Sequence, residues 1–175
     1  MGTRSLVATF RASLSMTPAN LLSDGTKSAD VVIGDTYTLD ITDGTGSSQA
    51  DRGWSEYNRA LASGANEDLD VFDLGARDIG AGAGLDSLGQ AWQIAEISTI
   101  MIRNQGPGNL TIDGTISNGW SDIGAPAALA PGGILVLHNP IDGSMPVVDS
   151  TKHLINFAAA GGICTYDVHI AARSA

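Results

Sequence analysis

Three histidines in the last third of the chain are the first residues whose chemistry suggests a site. His138, His153 and His169 each lie in or beside a predicted strand. Imidazole is the commonest metal ligand in proteins and titrates near neutral pH, so three converging histidines would form a metal site. A histidine on a strand face is more often hydrogen-bonded or exposed to solvent, and we favour that interpretation here.

A cluster of acidic side chains is the best candidate for a cation site, because oxygen ligands suit Ca²⁺. Its spacing, however, lacks the alternate acids followed by glycine that a calcium loop requires. Asp68 and Asp70 alternate with Leu69 and Val71, a pattern typical of the outward polar face of an edge strand. We therefore expect no bound metal. The cluster comprises Asn66, Glu67, Asp68, Asp70 and Asp73.

The three tryptophans and the single cysteine could belong either to a binding site or to the core. Trp54, Trp92 and Trp120 would suit sugar stacking, but tryptophans scattered along a chain more often belong to the core or to subunit contacts. Cys164 lies between Ile163 and Thr165 in a predicted strand, which favours a small buried apolar residue. A lone cysteine also excludes a disulfide within the chain.

The motifs of common enzyme classes do not occur in the sequence. There is no GxSxG, no HExxH, no phosphate-binding loop and no CxxC. Gly80, Gly82 and Gly84 resemble part of a dinucleotide fingerprint but lack its last glycine and its strand–helix context. We predict no catalytic residue, no cofactor and no enzymatic activity. A hydrolase built on facing carboxylates remains the alternative, since acids are abundant.

The charge of the chain limits its partners. Nine Lys and Arg residues stand against 19 Asp and Glu, which gives a formal net charge of −10. Nucleic acids and anionic membranes are bound through a basic face, so we expect neither as a partner. The opening residues lack the apolar segment of a signal peptide, and no run of eighteen apolar residues exists. We expect a protein made and kept in a cytoplasm.

The dominant hydrophobic period is two, which is typical of strands with one apolar face. Residues 6–16 show it most clearly, and residues 94–103 are dense enough in apolar residues to predict a central strand covered on both faces. Asp-Gly turns, as at Asp113-Gly114 and Asp142-Gly143, separate many of the strands. The predicted strands are 6–16, 36–42, 54–61, 67–74, 94–103, 110–112, 134–138, 146–148, 153–157 and 164–170.

These elements predict an all-β, single-domain β-sandwich, preferably a jelly roll, of eight to ten short strands. Residues 49–175 form its core in this interpretation. Residues 1–48 are N-terminal strands or an arm, or else part of the same sandwich.

Several segments in the middle and the tail resemble small virion structural proteins of tailed bacteriophages. The resemblance covers roughly residues 40–170 and consists of turns and strand starts. Its segments are TGSSQADR (45–52), WS (54–55), ALA (60–62), EDLD (67–70), GQA (89–91), IAEI (94–97), IMIRN (100–104), PGG (131–133) and TYDV (165–168).

The resemblance implies a virion protein, made in the cytoplasm of a bacterial host, that assembles on a head or a tail. We expect a capsid decoration (cement) protein on the outside of the head, bound to the major capsid protein and to itself as a homotrimer or homodimer. The alternative is a tail or baseplate protein with a carbohydrate-binding or host-binding face. The resemblance implies no catalytic residue in this chain.

Four residues are our candidates for assembly contacts. Trp54, Tyr57 and Arg59 lie in or near the resembling segments, and Arg103 ends the densest apolar strand, where it could pair with an acidic neighbour. Strand 6–16 is a candidate for addition to the sheet edge of a neighbouring subunit.

Overall fold

A computed structural model of the chain describes residues 8–16, 33–74, 85–86, 90–139 and 141–174. In these residues the structure is all-β, as predicted, with ten strands and one 3₁₀ turn at Ser121–Ile123. The strands are β1 (Ala8–Met16), β2 (Ile33–Ile41), β3 (Arg52–Leu61), β4 (Asn66–Asp70), β5 (Ile94–Asn104), β6 (Asn109–Asp113), β7 (Ala127–Leu129), β8 (Ile134–His138), β9 (Leu154–Ala160) and β10 (Cys164–Ser174).

The chain divides between Ile41 and Thr42 into two units. The first contains a two-stranded antiparallel sheet of β1 and β2, which we call the N-terminal sheet. Its register places Phe10 opposite Leu39 and Arg11 opposite Thr38. Residues of mostly apolar type therefore share one face of this sheet, and polar residues with one glycine share the other.

The second unit is a β-sandwich of two antiparallel four-stranded sheets. The first sheet has the order β3-β10-β5-β8, and the second has the order β4-β9-β6-β7. Along the chain, successive strands alternate between the two sheets, except that β6 and β7 are neighbours in the second. The first and last strands of the sandwich, β3 and β10, therefore lie side by side.

The core lies between the two sheets and draws on both. Ile100 and Ile102 of β5 and Ile155 of β9 are fully buried in it. The rings of Phe157 and Tyr166, from opposite sheets, stack with centroids 4.8 Å apart. Burial of apolar surface of this kind is the main force that holds two sheets face to face.

The structure corrects the strand predictions in two places. β7 was not predicted, because its sequence of alanine, alanine and leucine has no alternation to reveal it. The predicted strand 146–148 forms only isolated bridges, Glu96 with Pro146 and Val148 with Lys152. Pro146 has no N–H to donate to a ladder, which is a physical reason for the short pairing. The central position of β5 is confirmed.

Candidate functional site

The outer face of the first sheet is the best candidate for a functional surface, and we call it the histidine face. In the register, His169 lies beside Met101, and Met101 beside Val136, while Ile100 and Ile102 face the core. Alternation along each strand thus separates this face from the core. It comprises Ser55, Tyr57, Thr99, Met101, Arg103, Ile134, Val136, His138, Thr165, Asp167, His169 and Ala171.

His169 is held in place by two residues of β3. Its Nδ1 lies 3.0 Å from Ser55 Oγ, and its ring meets the ring of Tyr57 edge-on, with centroids 4.9 Å apart. Partial burial lowers the pKa of His169 below its ordinary value of 6.5, while the Asp167 carboxylate acts in the opposite direction. The imidazole is therefore neutral at pH 7.

His138 makes a similar pair two strands away. Its Nδ1 lies 2.7 Å from Thr99 Oγ1 on the neighbouring strand. Partial burial lowers the pKa of His138, against the effect of a backbone hydrogen bond with Ser98. The two imidazoles, each bonded to a hydroxyl, therefore add no charge to the face at pH 7.

A serine bonded to a histidine is an ingredient of nucleophilic catalysis, which also needs a third group to orient the base. Asp167 is the nearest carboxylate along β10, but its two oxygens bond to a backbone N–H and to a glutamine side chain instead. Its Oδ1 accepts a hydrogen bond of 2.9 Å from the Asn58 N–H, and its Oδ2 accepts one from Gln105 Nε2. The pair is thus part of a hydrogen-bonded sheet surface, on which it orders side chains.

A β-bulge in β3 lies beside the exposed Tyr57. Two residues of β3, Tyr57 and Asn58, stand opposite Asp167 alone, which makes a β-bulge. Asn58 adopts a left-handed backbone with φ of 55°. Tyr57 lies on the outer face by the same alternation as Ser55, and its side chain is 65% exposed.

Arg103 is the positive charge of the histidine face. It is exposed, lies directly opposite Asp167 in the β5–β10 register, and forms no ion pair in the part of the chain that the structure describes. At the same level on the edge strand β8, Ile134 is 56% exposed. Exposed tyrosine and arginine side chains, here with the half-buried Met101 on the same strand as Arg103, are typical of protein–protein interfaces.

The outer face of the second sheet has the opposite character. Asp68 and Asp70 of β4 point away from the buried Leu69, as the alternation predicted. Asp113 lies on the same face, beside Asn156, which also pairs with Asp68. Neighbouring positions carry small residues such as Ala158. The sandwich therefore has one acidic outer face and one face without an exposed acid.

Arg59, a predicted assembly residue, is engaged within the chain. It faces Glu67 of the second sheet with two hydrogen bonds and Glu56 of its own strand with a third. Tyr166 Oη donates a hydrogen bond of 2.5 Å to Glu67. The hydrogen bond to Glu67, more than any other contact, raises the pKa of Arg59 above its ordinary value. This cluster links the two sheets at the β3–β4 end.

Trp54, the other predicted contact on β3, belongs to the core. Its side chain is 1% exposed, so it has no surface to offer a partner, and this corrects the assembly role we predicted for it. Trp92 and Trp120 are also buried. Their indole N–H groups donate to the carbonyls of Val71 and Pro146, so no tryptophan provides an open platform for sugar stacking.

The other predicted side chains lie apart. His153 Nδ1 lies 3.0 Å from Asp70 Oδ1, and Asp70 belongs to β4 of the second sheet, whereas the histidine face belongs to the first. Cys164 is buried, as expected, and burial raises the pKa of its thiol. Within the described ranges, no three His, Cys, Asp or Glu side chains gather in a way that would hold a metal ion. The Gly80–Gly84 segment falls outside the described residues.

A buried ion pair was missed by the sequence reasoning. Arg173 and Glu96, both almost fully buried, pair between β10 and β5, and Arg173 also donates to the Gln49 carbonyl at 2.9 Å. No spacing rule signals a partner so distant in the chain. The hydroxyl–histidine pairs were missed for the same reason.

Comparison with known proteins gives no relative for this chain. No family model, no curated protein and no solved structure matches it. Among the described residues, no helix is long and apolar enough to cross a membrane.

Proposed function

We propose that this protein is a virion structural protein of a tailed bacteriophage, a capsid decoration protein that binds the outside of the head lattice and stabilises it. The observation that carries the proposal is the contrast between the two outer faces of the sandwich. One face is acidic, and the other presents Tyr57, Ile134 and Arg103 with no exposed acid. A shell component that meets neighbours on one side and solvent on the other needs this asymmetry.

The strand order supports a further detail of the proposal, that the sandwich is a jelly roll. Eight strands lie in two sheets of four, and the connections cross repeatedly between the sheets. A double-sheet arrangement of this kind, with two Greek keys, is what a jelly roll consists of. Jelly rolls are common in viral capsid proteins.

The N-terminal sheet supports an attachment role. By the register, residues of mostly apolar type share one face of this two-stranded sheet, and a partner packed on that face would stabilise a sheet that is marginal by itself. Residues 1–41 carry four acids and three bases, whereas residues 42–175 carry fifteen acids and six bases. We infer that this nearly neutral segment is the arm that attaches to the major capsid protein.

Sedimentation with heads tests this proposal. Purified full-length protein is added to heads that lack it, and bound protein is measured after pelleting. We expect saturable binding and heads that survive higher temperature, because many weak contacts add over a lattice. Binding through apolar residues should persist at high salt, where charge–charge contacts are screened. Absence of binding would contradict the proposal.

Neighbouring residues of β1 provide a matched pair of variants. Leu14 and Ser13 lie on opposite faces of the N-terminal sheet by the register. Leu14→Asp should abolish binding to heads, whereas Ser13→Asp should leave it unchanged. Equal behaviour of the two variants would remove the arm from the proposal.

The tail or baseplate alternative would require a carbohydrate-binding or host-binding face. The buried tryptophans do not favour it. Tyr57 is an exposed aromatic side chain, but it lies on an open sheet face beside His169.

A further inference from the structure

We propose that the histidine face binds a second copy of this chain around a two-fold axis that runs along the strands, between β10 and β5. The inference rests on the proposed function as an assembly protein and names a partner for this particular surface. Its first support is charge. The sandwich is strongly acidic, so two copies repel each other on most surfaces, and the histidine face is the outer sheet face without an exposed acid.

The second support is the self-complementary order of the face. The first sheet has β10 and β5 at its centre and β3 and β8 at its edges. A two-fold axis along the strands therefore sets β5 of one copy over β10 of the other. Because Arg103 and Asp167 are register partners on these central strands, each Arg103 then lies over Asp167 of the second copy.

Asp167 is only 5% exposed, so the contact depends on the long, exposed Arg103 side chain of the second copy reaching down to the Asp167 carboxylate. That carboxylate accepts one hydrogen bond on each oxygen, from Asn58 and Gln105, and a carboxylate accepts about four in all. Arg103 in turn has no ion pair among the described residues, so the two-fold contact would supply one without breaking any other. The predicted pairing of Arg103 with an acidic neighbour thereby acquires a specific partner.

The same axis exchanges the edge strands and matches their exposed apolar side chains. Tyr57, at the β3 bulge, and Ile134, at the start of β8, stand level with the Asp167–Arg103 pair on opposite edges of the sheet. In the pair of copies, Tyr57 lies over Ile134 of the second copy, and the reverse. Sheets packed in this way keep their strands roughly aligned.

The area of the face is sufficient for such a dimer. The four strands contain between five and eleven residues each. With strands about 4.8 Å apart and a rise of about 3.4 Å per residue, the face covers roughly 600 Å² per copy. Two copies would bury about 1,200 Å², the lower end of the range for specific interfaces.

The mass of the purified full-length protein in solution tests the inference. Light scattering after size exclusion, at about 100 µM, should give an even number of chains, in equilibrium with monomer on dilution. Arg103→Glu would set like charges against each other, and Ile134→Glu would bury a charge. Each should weaken self-association at least about tenfold. Ile163→Glu is the matched control, because Ile163 is 55% exposed but lies in the β9–β10 turn.

Each outcome decides for or against the two-fold contact. An even oligomer that the two face variants weaken and the control does not would support it. A monomer at this concentration, a trimer, or an oligomer that neither face variant weakens would overturn it. Circular dichroism checks that each variant is folded, and Asp167→Asn provides a milder test from the other side of the pair.

Binding to heads separates this inference from the proposed function. If wild-type protein dimerises but does not bind heads, the decoration role fails and the dimer stands. If it binds heads as a monomer, the two-fold contact fails and the decoration role stands.

Discussion

The histidines of the outer sheet face are the residues whose placement matters most for the account. Each is bonded to a hydroxyl on a neighbouring strand, His169 to Ser55 and His138 to Thr99. Partial burial lowers the pKa of both imidazoles, so the folded chain resists their protonation. At the scale of single residues, both imidazoles are neutral at pH 7 and add positive charge to the face only in acid.

This placement predicts a pH dependence of stability. The unfolded chain takes up protons at the ordinary histidine pKa of 6.5, while the folded chain takes them up only at lower pH. The free energy of unfolding should therefore be level above that pKa and fall as the pH drops below it, through the lowered folded values. Thermal unfolding followed by circular dichroism between about pH 7.5 and pH 5 measures this.

A His169→Gln variant isolates the contribution of His169 to the pH dependence of the free energy of unfolding. Glutamine cannot titrate, so the variant should lose part of the pH dependence and retain the part that belongs to His138. An identical pH dependence in the variant and the wild type would contradict the role given to burial of His169.

The sequence predicts whether a residue is buried or exposed better than it predicts which residues it contacts. Alternation placed Leu69 in the core and Asp68 outside, and placed Cys164 among buried residues, because a strand has a period of two. The assignment of Trp54 to assembly was wrong, because period alone does not distinguish a core tryptophan from one at an interface. The partners of Arg59 and Arg173 lie on other strands, so only the register reveals them.

At the scale of elements, the bulge in β3 is the feature that shapes the candidate surface. It lies next to the exposed Tyr57 and is fixed by the bond from the Asn58 N–H to Asp167. A bulge requires knowledge of which strand lies opposite, so the sequence of β3 alone could not predict it. The strand itself, and its membership of a sandwich, could be predicted from the alternation and the turns, whereas its neighbour in the sheet could not.

Asn58 allows the bulge to be tested. Its φ of 55° suits asparagine and glycine, but a β-branched residue is strained there. Asn58→Val should lower the free energy of unfolding by roughly 1–2 kcal/mol, whereas Asn58→Gly should change it by a few tenths. Chemical denaturation measures both. Equal costs for the two variants would show that the backbone conformation at Asn58 does not limit stability.

The connections between elements were the least predictable part of the fold. Turn dipeptides marked where strands end, but nothing in them shows which sheet the next strand joins. The order β3-β10-β5-β8 pairs strands that are distant in the chain, as in the contact of β3 with β10. Such pairing depends on burial of both sheets together, which a local pattern does not encode.

At the scale of the whole molecule, the chain is acidic and has two surfaces for which we propose a binding role. By its register the N-terminal sheet has residues of mostly apolar type on one face, and the sandwich has the histidine face. We propose that the first attaches to the capsid and the second to another copy. A protein that combines both contacts would link neighbouring positions of a lattice, and its affinity would grow with the number of copies bound.

The copy number of the protein in purified phage particles tests the central proposal most directly. Quantitative mass spectrometry gives its ratio to the major capsid protein in the same sample. A decoration protein spread over the head predicts a ratio near one, or a simple fraction of it. A handful of copies per particle would point instead to the tail, and absence from the particles would contradict a virion role altogether.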